Sequence, residues 1–217
     1  MVIVVIYKNE NKERDRASSS GDVKFLIFLK YRSDVKLKIT ITGDLYSGKS
    51  SVAKGVCEVM DYTYFSVGEL QRRLAVEKGM SIMEYNDYVF QNNLDHEVDN
   101  RTMAIGIENE NFIFDARLAW YFIPNSFKIY FKVDIDIAVE RAMESNRGEC
   151  ENYTCVQEAK ERIIGRRRLE VTRFNEIYNI DIDNDSNYDL VIDTSHMTMK
   201  AVIEKTIEKL RECNDKK

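Results

Sequence analysis

The sequence predicts an α/β fold in which a mostly parallel sheet is covered on both faces by helices. Three observations predict it. From residue 37 onward, short β-branched and aromatic runs alternate with longer stretches of helical periodicity. A glycine-containing loop, Gly43 to Ser50, sits where the first of those runs gives way to the first helix. The chain has 217 residues, 44% of them hydrophobic and 32% charged, so one domain can bury a sizeable core without disulfides or metals.

The elements follow in order. Residues 1–36 hold two short apolar runs separated by a charged, serine-rich stretch at 8–22, and they read as an N-terminal extension, either a β-hairpin or a loosely docked appendage. The domain proper is expected over 37–213. It begins with a strand at 37–42, then the glycine loop, then a helix whose Val52, Ala53, Val56, Cys57 and Met60 share one face. A second strand is predicted at 62–66. Helices at 68–78, 81–91 and 95–108 follow, with a break at Gly79. Ser81 and Glu84 have the spacing of a capping box, in which each side chain satisfies a free backbone N–H at the helix start. Further strands are predicted at 112–115, 127–133 and 189–193. Between the last two, residues 136–179 read as a helix, a polar turn at 147–154 and a strongly basic helix. The final helix, 201–212, places Val202, Ile203, Thr206, Ile207 and Leu210 at helical spacing to cover the sheet.

Bulk properties narrow the function. A formal net charge of −5 and an isoelectric point near 5.3 argue against a surface built to neutralise nucleic acid or to lie on anionic lipid. Four cysteines without framework spacing, and no visible signal peptide, point to reduced thiols in the cytoplasm. The apolar runs are far shorter than the roughly 20 residues that cross a bilayer. The expected partners are small molecules, bound by a monomer.

The strongest motif is Gly43-Asp44-Leu45-Tyr46-Ser47-Gly48-Lys49-Ser50, which satisfies G-x-x-x-x-G-K-[ST] between a strand and a helix. A polyphosphate needs backbone N–H groups turned inward, and glycines let the chain curl closely around it. The helix that starts near Lys49 adds its N-terminal partial positive charge. Gly43, Asp44, Ser47, Gly48, Lys49, Ser50 and Ser51 are therefore candidate ATP-binding residues. Lys49 is expected to span the β- and γ-phosphates, Ser50 to bind Mg²⁺, and Ser51 to contact the α-phosphate. Asp115 ends the run Phe112-Ile113-Phe114-Asp115 at the carboxyl edge of the sheet and is the second Mg²⁺ candidate.

Arg166, Glu170 and Arg173 fall at i, i+4 and i+7 and share one helix face. They form a candidate catalytic clamp in which Glu170 orients the two arginines. The alternative is a solvated helix laced with ion pairs. Arg72 and Arg117 both lie just beyond predicted strand ends, where they can meet over an acceptor. Cys150 and Cys155 lack the further ligands that a zinc site needs. His96 and His196 have no partner pattern, and phosphoryl transfer by positioning and electrostatics needs no histidine base.

Taken together, these blocks resemble the cytidylate kinase-like branch of the nucleoside monophosphate kinases, especially its short archaeal and clostridial-type members. The similarity runs from Leu37 to about Glu208. It rests on Ile39 to Leu45 leading into Gly48-Lys49-Ser50, on Ser66-Val67-Gly68-Glu69-Leu70-Gln71-Arg72, on Phe112 to Trp120, on the Arg166/Glu170/Arg173 face, on Tyr178 to Asp181 and on Tyr188 to Thr194. The resemblance implies a P-loop NTPase fold with a five-stranded parallel sheet of order 2-3-1-4-5. It also implies an acceptor-binding helical insertion at about 67–108 and a lid at about 141–175. Arg72, Arg117 and Gly68 would then hold the acceptor, with Ser66 near its base, and Arg141 and Arg147 would contact phosphate. Leu118 stands where bacterial cytidylate kinases carry an aspartate, and Ala116 and Tyr46 stand where relatives commonly have glycine, which crowds the acceptor and phosphate loops. The implied activity is ATP-dependent, Mg²⁺-assisted transfer to CMP or dCMP. Another small acceptor, or a nucleotide-binding regulatory module without transfer, are the alternatives.

Overall fold

Strand formation follows the β-branched and aromatic runs. In the computed structural model, which describes residues 5–7, 37–92, 94–145 and 153–214, these runs join one sheet. In chain order its strands are β1 (Val5–Tyr7), β2 (Lys38–Gly43), β3 (Thr63–Ser66), β4 (Phe112–Asp115), β5 (Phe127–Lys132) and β6 (Leu190–Asp193). The spatial order is β1-β3-β4-β2-β5-β6. From β3 to β6 every pairing is parallel, with Ile39 opposite both Ile113 and Phe127. Counted from β2, this is the five-stranded order 2-3-1-4-5. The first run of the extension adds an antiparallel edge, Ile6 facing Phe65. Its second run, and with it the hairpin reading, lies outside the described residues.

The helices are α1 (Lys49–Met60), α2 (Val67–Glu77), α3 (Ile82–Gln91), α4 (Asp95–Glu108), α5 (Ala119–Phe122), α6 (Ile135–Glu144), α7 (Val156–Tyr178) and α8 (Met199–Asn214). The sheet's period of two sends Ile39, Ile41, Ile113, Ile129, Phe131 and Ile192 to one face, against Val52 and Val56 of α1 and Val202, Ile207 and Leu210 of α8. Phe65, Phe112 and Phe114 go to the other, against Ile105 of α4 and Ala119 of α5. Each such side chain contributes about 1.5–3 kcal/mol by leaving water. Of the two buried threonines on β2, Thr40 has a side-chain partner in Ser126. Ser126 Oγ donates to the Ile123 carbonyl at 2.7 Å, so Thr40 must be the donor in its 2.9 Å contact with Ser126 Oγ.

The capping box forms as its spacing predicts: Ser81 Oγ accepts from Glu84 N at 3.2 Å and Glu84 Oε2 from Ser81 N at 2.7 Å. Helix α5 and a 3₁₀ turn at Asp185–Asn187 were not foreseen, because three or four residues carry no readable period. Among the described residues no helix is long and apolar enough to cross a membrane.

Candidate active site

The loop between β2 and α1 is shaped by two glycines. Gly43 has φ 148°, and a Cβ there would lie 2.3 Å from the Phe131 carbonyl oxygen on β5, so no side chain fits. Gly48, φ 83°, opens α1. Between them Tyr46 also adopts a left-handed φ of 62°, a conformation that costs a non-glycine residue about 1–3 kcal/mol. Its ring offsets that cost by packing on Ala138, Val139, Ala142, Ala159 and Ile163, and its hydroxyl lies 2.9 Å from that of Tyr153. The ring is therefore mainly a wedge between α6 and α7 rather than an obstruction within the loop.

Several predicted site residues brace this loop from outside. Asp44 Oδ1 accepts from the Tyr130 hydroxyl at 2.6 Å and its Oδ2 from Val133 N at 3.0 Å. Ser47 Oγ donates to the Asp44 carbonyl at 2.9 Å. Arg141 of α6 donates to the carbonyls of Thr194 (2.7 Å), Ser195 (3.2 Å) and Tyr46 (3.3 Å). Ser66 is buried, and its hydroxyl caps α2 by accepting from Glu69 N at 3.3 Å. Arg147 lies outside the described residues, as does Cys150.

The remaining predicted residues converge on one cleft. Gly48, Lys49, Ser50 and Ser51 form its floor, and Gly68 and Arg72 of α2 open onto it. Asp115 and Arg117, from the end of β4, and Arg166, Glu170 and Arg173 of α7 do the same. It lies at the carboxyl ends of β2 and β4, where connections leave the sheet in opposite directions, the place where ligands of open α/β folds collect. Asp115 Oδ2 accepts from Ser50 Oγ at 2.5 Å and from the Tyr64 hydroxyl at 2.9 Å. Burial, followed by the nearby Asp115 charge, pushes the Tyr64 phenol up, so it stays a donor. A hydroxyl beside a carboxylate at the foot of an anion-binding loop is an all-oxygen donor set and fits a hard dication such as Mg²⁺.

Charge in the cleft is organised around Glu170, a buried residue of α7. Arg117 Nε lies 3.1 Å from its Oε2, Arg166 Nε 3.3 Å from its Oε1, and Arg167 4.0 Å away. Burial by itself would raise this carboxyl, but Arg117, Arg166, Arg167 and Lys49 together hold it below the usual carboxylate range. Arg117 also donates to the Gly43 carbonyl. The i, i+4, i+7 reading paired Glu170 with Arg166 and Arg173. The structure gives it Arg166 and, across the cleft, Arg117, while Arg173 donates to the Asn86 carbonyl on α3 at 3.4 Å and stacks on Phe174. Among the described residues Arg72 forms no ion pair, which leaves a cleft-facing cation to be matched by a ligand.

The acceptor-binding insertion expected at about 67–108 includes the cleft's far wall, but sequence reasoning named none of the residues that α3 contributes to it. Met83, Asn86, Asp87 and Phe90 line it from α3, while Ile82, Tyr85 and Val89 pack behind. Two apolar-bearing stripes on one helix were the available signal, since a helix with one buried face needs only one. Asp99 of α4, which accepts from the Tyr178 hydroxyl, completes that wall.

Comparison with known proteins places these features in context. The model of the cytidylate kinase-like family matches residues 38–196. A cytidylate kinase of Methanosphaera stadtmanae is 32% identical over 180 residues, 82% of this chain and 98% of that protein. One of Methanocaldococcus jannaschii is 34% identical over 170 residues, 76% and 92%. An S-adenosylmethionine-dependent nucleotide dehydratase of Lacinutrix mariniflava is 34% identical over 183 residues, 83% of this chain, but the chain spans only 37% of its length. Among solved structures, shikimate kinase of Bacteroides thetaiotaomicron superposes with a TM-score of 0.57 at 11% identity, over 83% of this chain and 99% of that one. At that identity the likeness establishes the P-loop kinase fold alone.

Proposed function

The chain belongs to the cytidylate kinase-like family, and we propose that it transfers the γ-phosphoryl group of ATP to a nucleoside monophosphate, with CMP or dCMP as the preferred acceptor. One observation carries this reading: a single cleft is floored by the phosphate-binding loop and rimmed by Arg72, Arg117, Arg166 and Arg173 from three separate parts of the chain. A binder of one triphosphate needs the loop. An acceptor that itself bears a phosphate needs the second set of cations. The match to part of a nucleotide dehydratase also supports a nucleotide as the ligand.

In this reading the loop N–H groups and the start of α1 hold the β- and γ-phosphates, and Lys49 offsets charge on the bridging oxygen as it leaves. Arg72 and Arg117 hold the acceptor's phosphate so that one of its oxygens faces the γ-phosphorus in line. That oxygen forms the new P–O bond while the bond to the β,γ-bridging oxygen breaks, leaving ADP, with no covalent enzyme intermediate. Mg²⁺, held by Ser50 and Asp115, would supply charge neutralisation of the β- and γ-oxygens. Helices α2–α4, within about 67–108, act as the acceptor-binding insertion. A lid within about 141–175, carrying α7, brings Arg166 and Arg173 over the phosphates and excludes water.

A coupled ADP-release assay over CMP, dCMP, UMP, AMP, shikimate and gluconate tests the proposal. CMP and dCMP are expected to give the highest kcat/KM. Turnover confined to a non-nucleotide acceptor, or ATP binding without turnover of any of them, overturns it.

A further inference from the structure

We propose that the hydroxyl of Tyr130 couples the lid helix to the phosphate-binding loop, making it a positioning residue for nucleotide binding; this deepens the kinase reading and rests on it. Tyr130 sits on β5, almost fully buried, between Arg167 and Asp44. Its oxygen accepts from Arg167 of α7 at 2.7 Å and its proton goes to Asp44 Oδ1 at 2.6 Å. That polarity is forced. A guanidinium can only donate and an ionised carboxylate can only accept, so the one phenolic proton must point at Asp44. Burial holds the phenol protonated, which keeps the donor in place across the neutral range.

Asp44 is the second residue of the loop, and its other oxygen is taken by Val133 N. Its carboxylate therefore serves the end of β5 rather than a ligand. Arg167, at the other end, also pairs with Asp183 and stands 4.0 Å from Glu170. From Glu170 a second route runs through Arg117 to the Gly43 carbonyl. Helix α7 thus grips the first two loop residues along two polar paths. Those residues set the curl that the phosphates require, since Gly43 is the point where β5 permits no side chain at all. A lid helix that moves onto a nucleotide pulls on Arg167, and Tyr130 passes that displacement to the loop. Equally, phosphates that tighten the loop stabilise the closed position of α7, because the coupling of two sites is reciprocal.

Calorimetric titration with MgATP, paired with hydrogen exchange over residues 156–178, tests this. In the wild-type protein ATP is expected to slow exchange in the middle of α7. Tyr130→Phe keeps the ring but removes the relay, so ATP affinity is expected to fall about tenfold, the usual worth of one charge-assisted hydrogen bond, and the ATP-induced protection of α7 to disappear. Asp44→Asn should reproduce both effects, and the double variant should be no worse than either single one. Should Tyr130→Phe fail to fold, Asp44→Asn reads the same path from its other end. ATP affinity within twofold of wild type, with α7 protected as before, overturns the inference while leaving the kinase reading intact, even if the melting temperature drops. A wild-type protein that binds no ATP removes the kinase reading and this inference with it.

Discussion

Arg117 Nε stands 3.1 Å from Glu170 Oε2, so the chain two residues beyond β4 is joined to the middle of α7. The same guanidinium reaches back to the Gly43 carbonyl. Glu170 acts here as an internal anion among cations: without it, Arg117, Arg166, Arg167 and Lys49 would repel one another in a space shielded from water. A nucleotide phosphate has the charge to share that role, so the proposed ligand site would overlap a stabilising element.

Replacing Glu170 by Gln is therefore expected to destabilise the protein by about 3 kcal/mol, since breaking a buried pair leaves uncompensated charge. Its carboxyl titrates below the usual range in the folded chain, so its contribution is complete above the unfolded value, about pH 4.3, and is lost as pH falls through the depressed folded value. Urea midpoints should thus separate wild type and variant at pH 7 and converge as the pH falls below the unfolded value. Added ATP and CMP should recover more stability in the variant than in the wild type. A constant difference at every pH would show that Glu170 is not the charged hub.

Lys49→Met removes the loop's cation while keeping an unbranched side chain. The expected loss in kcat is about 10²–10³-fold, the size seen when one donor to developing charge is deleted, with an unchanged circular dichroism spectrum. A kcat within threefold of wild type would remove Lys49 from the reaction.

Much of the fold was legible because its signals are local. The strand Phe112–Asp115 and the helix Asp95–Glu108 stand where their runs and periods placed them, and the Ser81 capping box needed only a three-residue spacing. The loop motif likewise identified the cleft floor. Illegible were the choices made between distant elements. Nothing in the spacing of Arg166, Glu170 and Arg173 says that Glu170 turns to Arg117, and Arg141 gave no sign that it would tie down carbonyls of Thr194 and Ser195. Arg167 and Tyr130 were missed for the same reason: a buried polar relay has no sequence period, only a three-dimensional one.

Tyr46 sets two opposing magnitudes against each other. Tyr46→Gly relieves a left-handed backbone worth about 1–3 kcal/mol but empties the wedge between α6 and α7, and deleting a buried aromatic ring costs about 3–5 kcal/mol. The ring wins, so the variant is expected to be less stable by about 2 kcal/mol. Tyr46→Phe should cost less than half of that, since it keeps the ring and loses the contact with the Tyr153 hydroxyl. A Gly variant as stable as wild type, by chemical denaturation, would mean that backbone strain outweighs the packing.

Asp115→Asn can keep its amide oxygen where Ser50 and Tyr64 both donate, at the Oδ2 position, but removes the negative charge. If Asp115 also supports the dication, the Mg²⁺ concentration for half-maximal rate should rise about 10–100-fold while saturating Mg²⁺ restores part of kcat. An unchanged Mg²⁺ dependence would assign Asp115 to holding the loop alone.

Arg72 and Arg117, both proposed to hold the acceptor, separate binding from architecture. Arg72 lines the cleft with no ion pair among the described residues, whereas Arg117 holds both the Gly43 carbonyl and Glu170. Arg72→Ala should therefore raise the acceptor KM by about 10–100-fold, the worth of one or two charge-assisted contacts, with the KM for ATP and the melting temperature nearly unchanged. Arg117→Ala should raise the acceptor KM as well, but it also leaves Glu170 with one fewer partner and frees the start of the phosphate loop. Its KM for ATP and its melting temperature must then change together. The pair is decided by measuring both constants and both melting curves. If Arg72→Ala leaves the acceptor KM where it was, the cation on α2 does not meet the acceptor's phosphate, and Arg117 or the arginines of α7 must hold it instead.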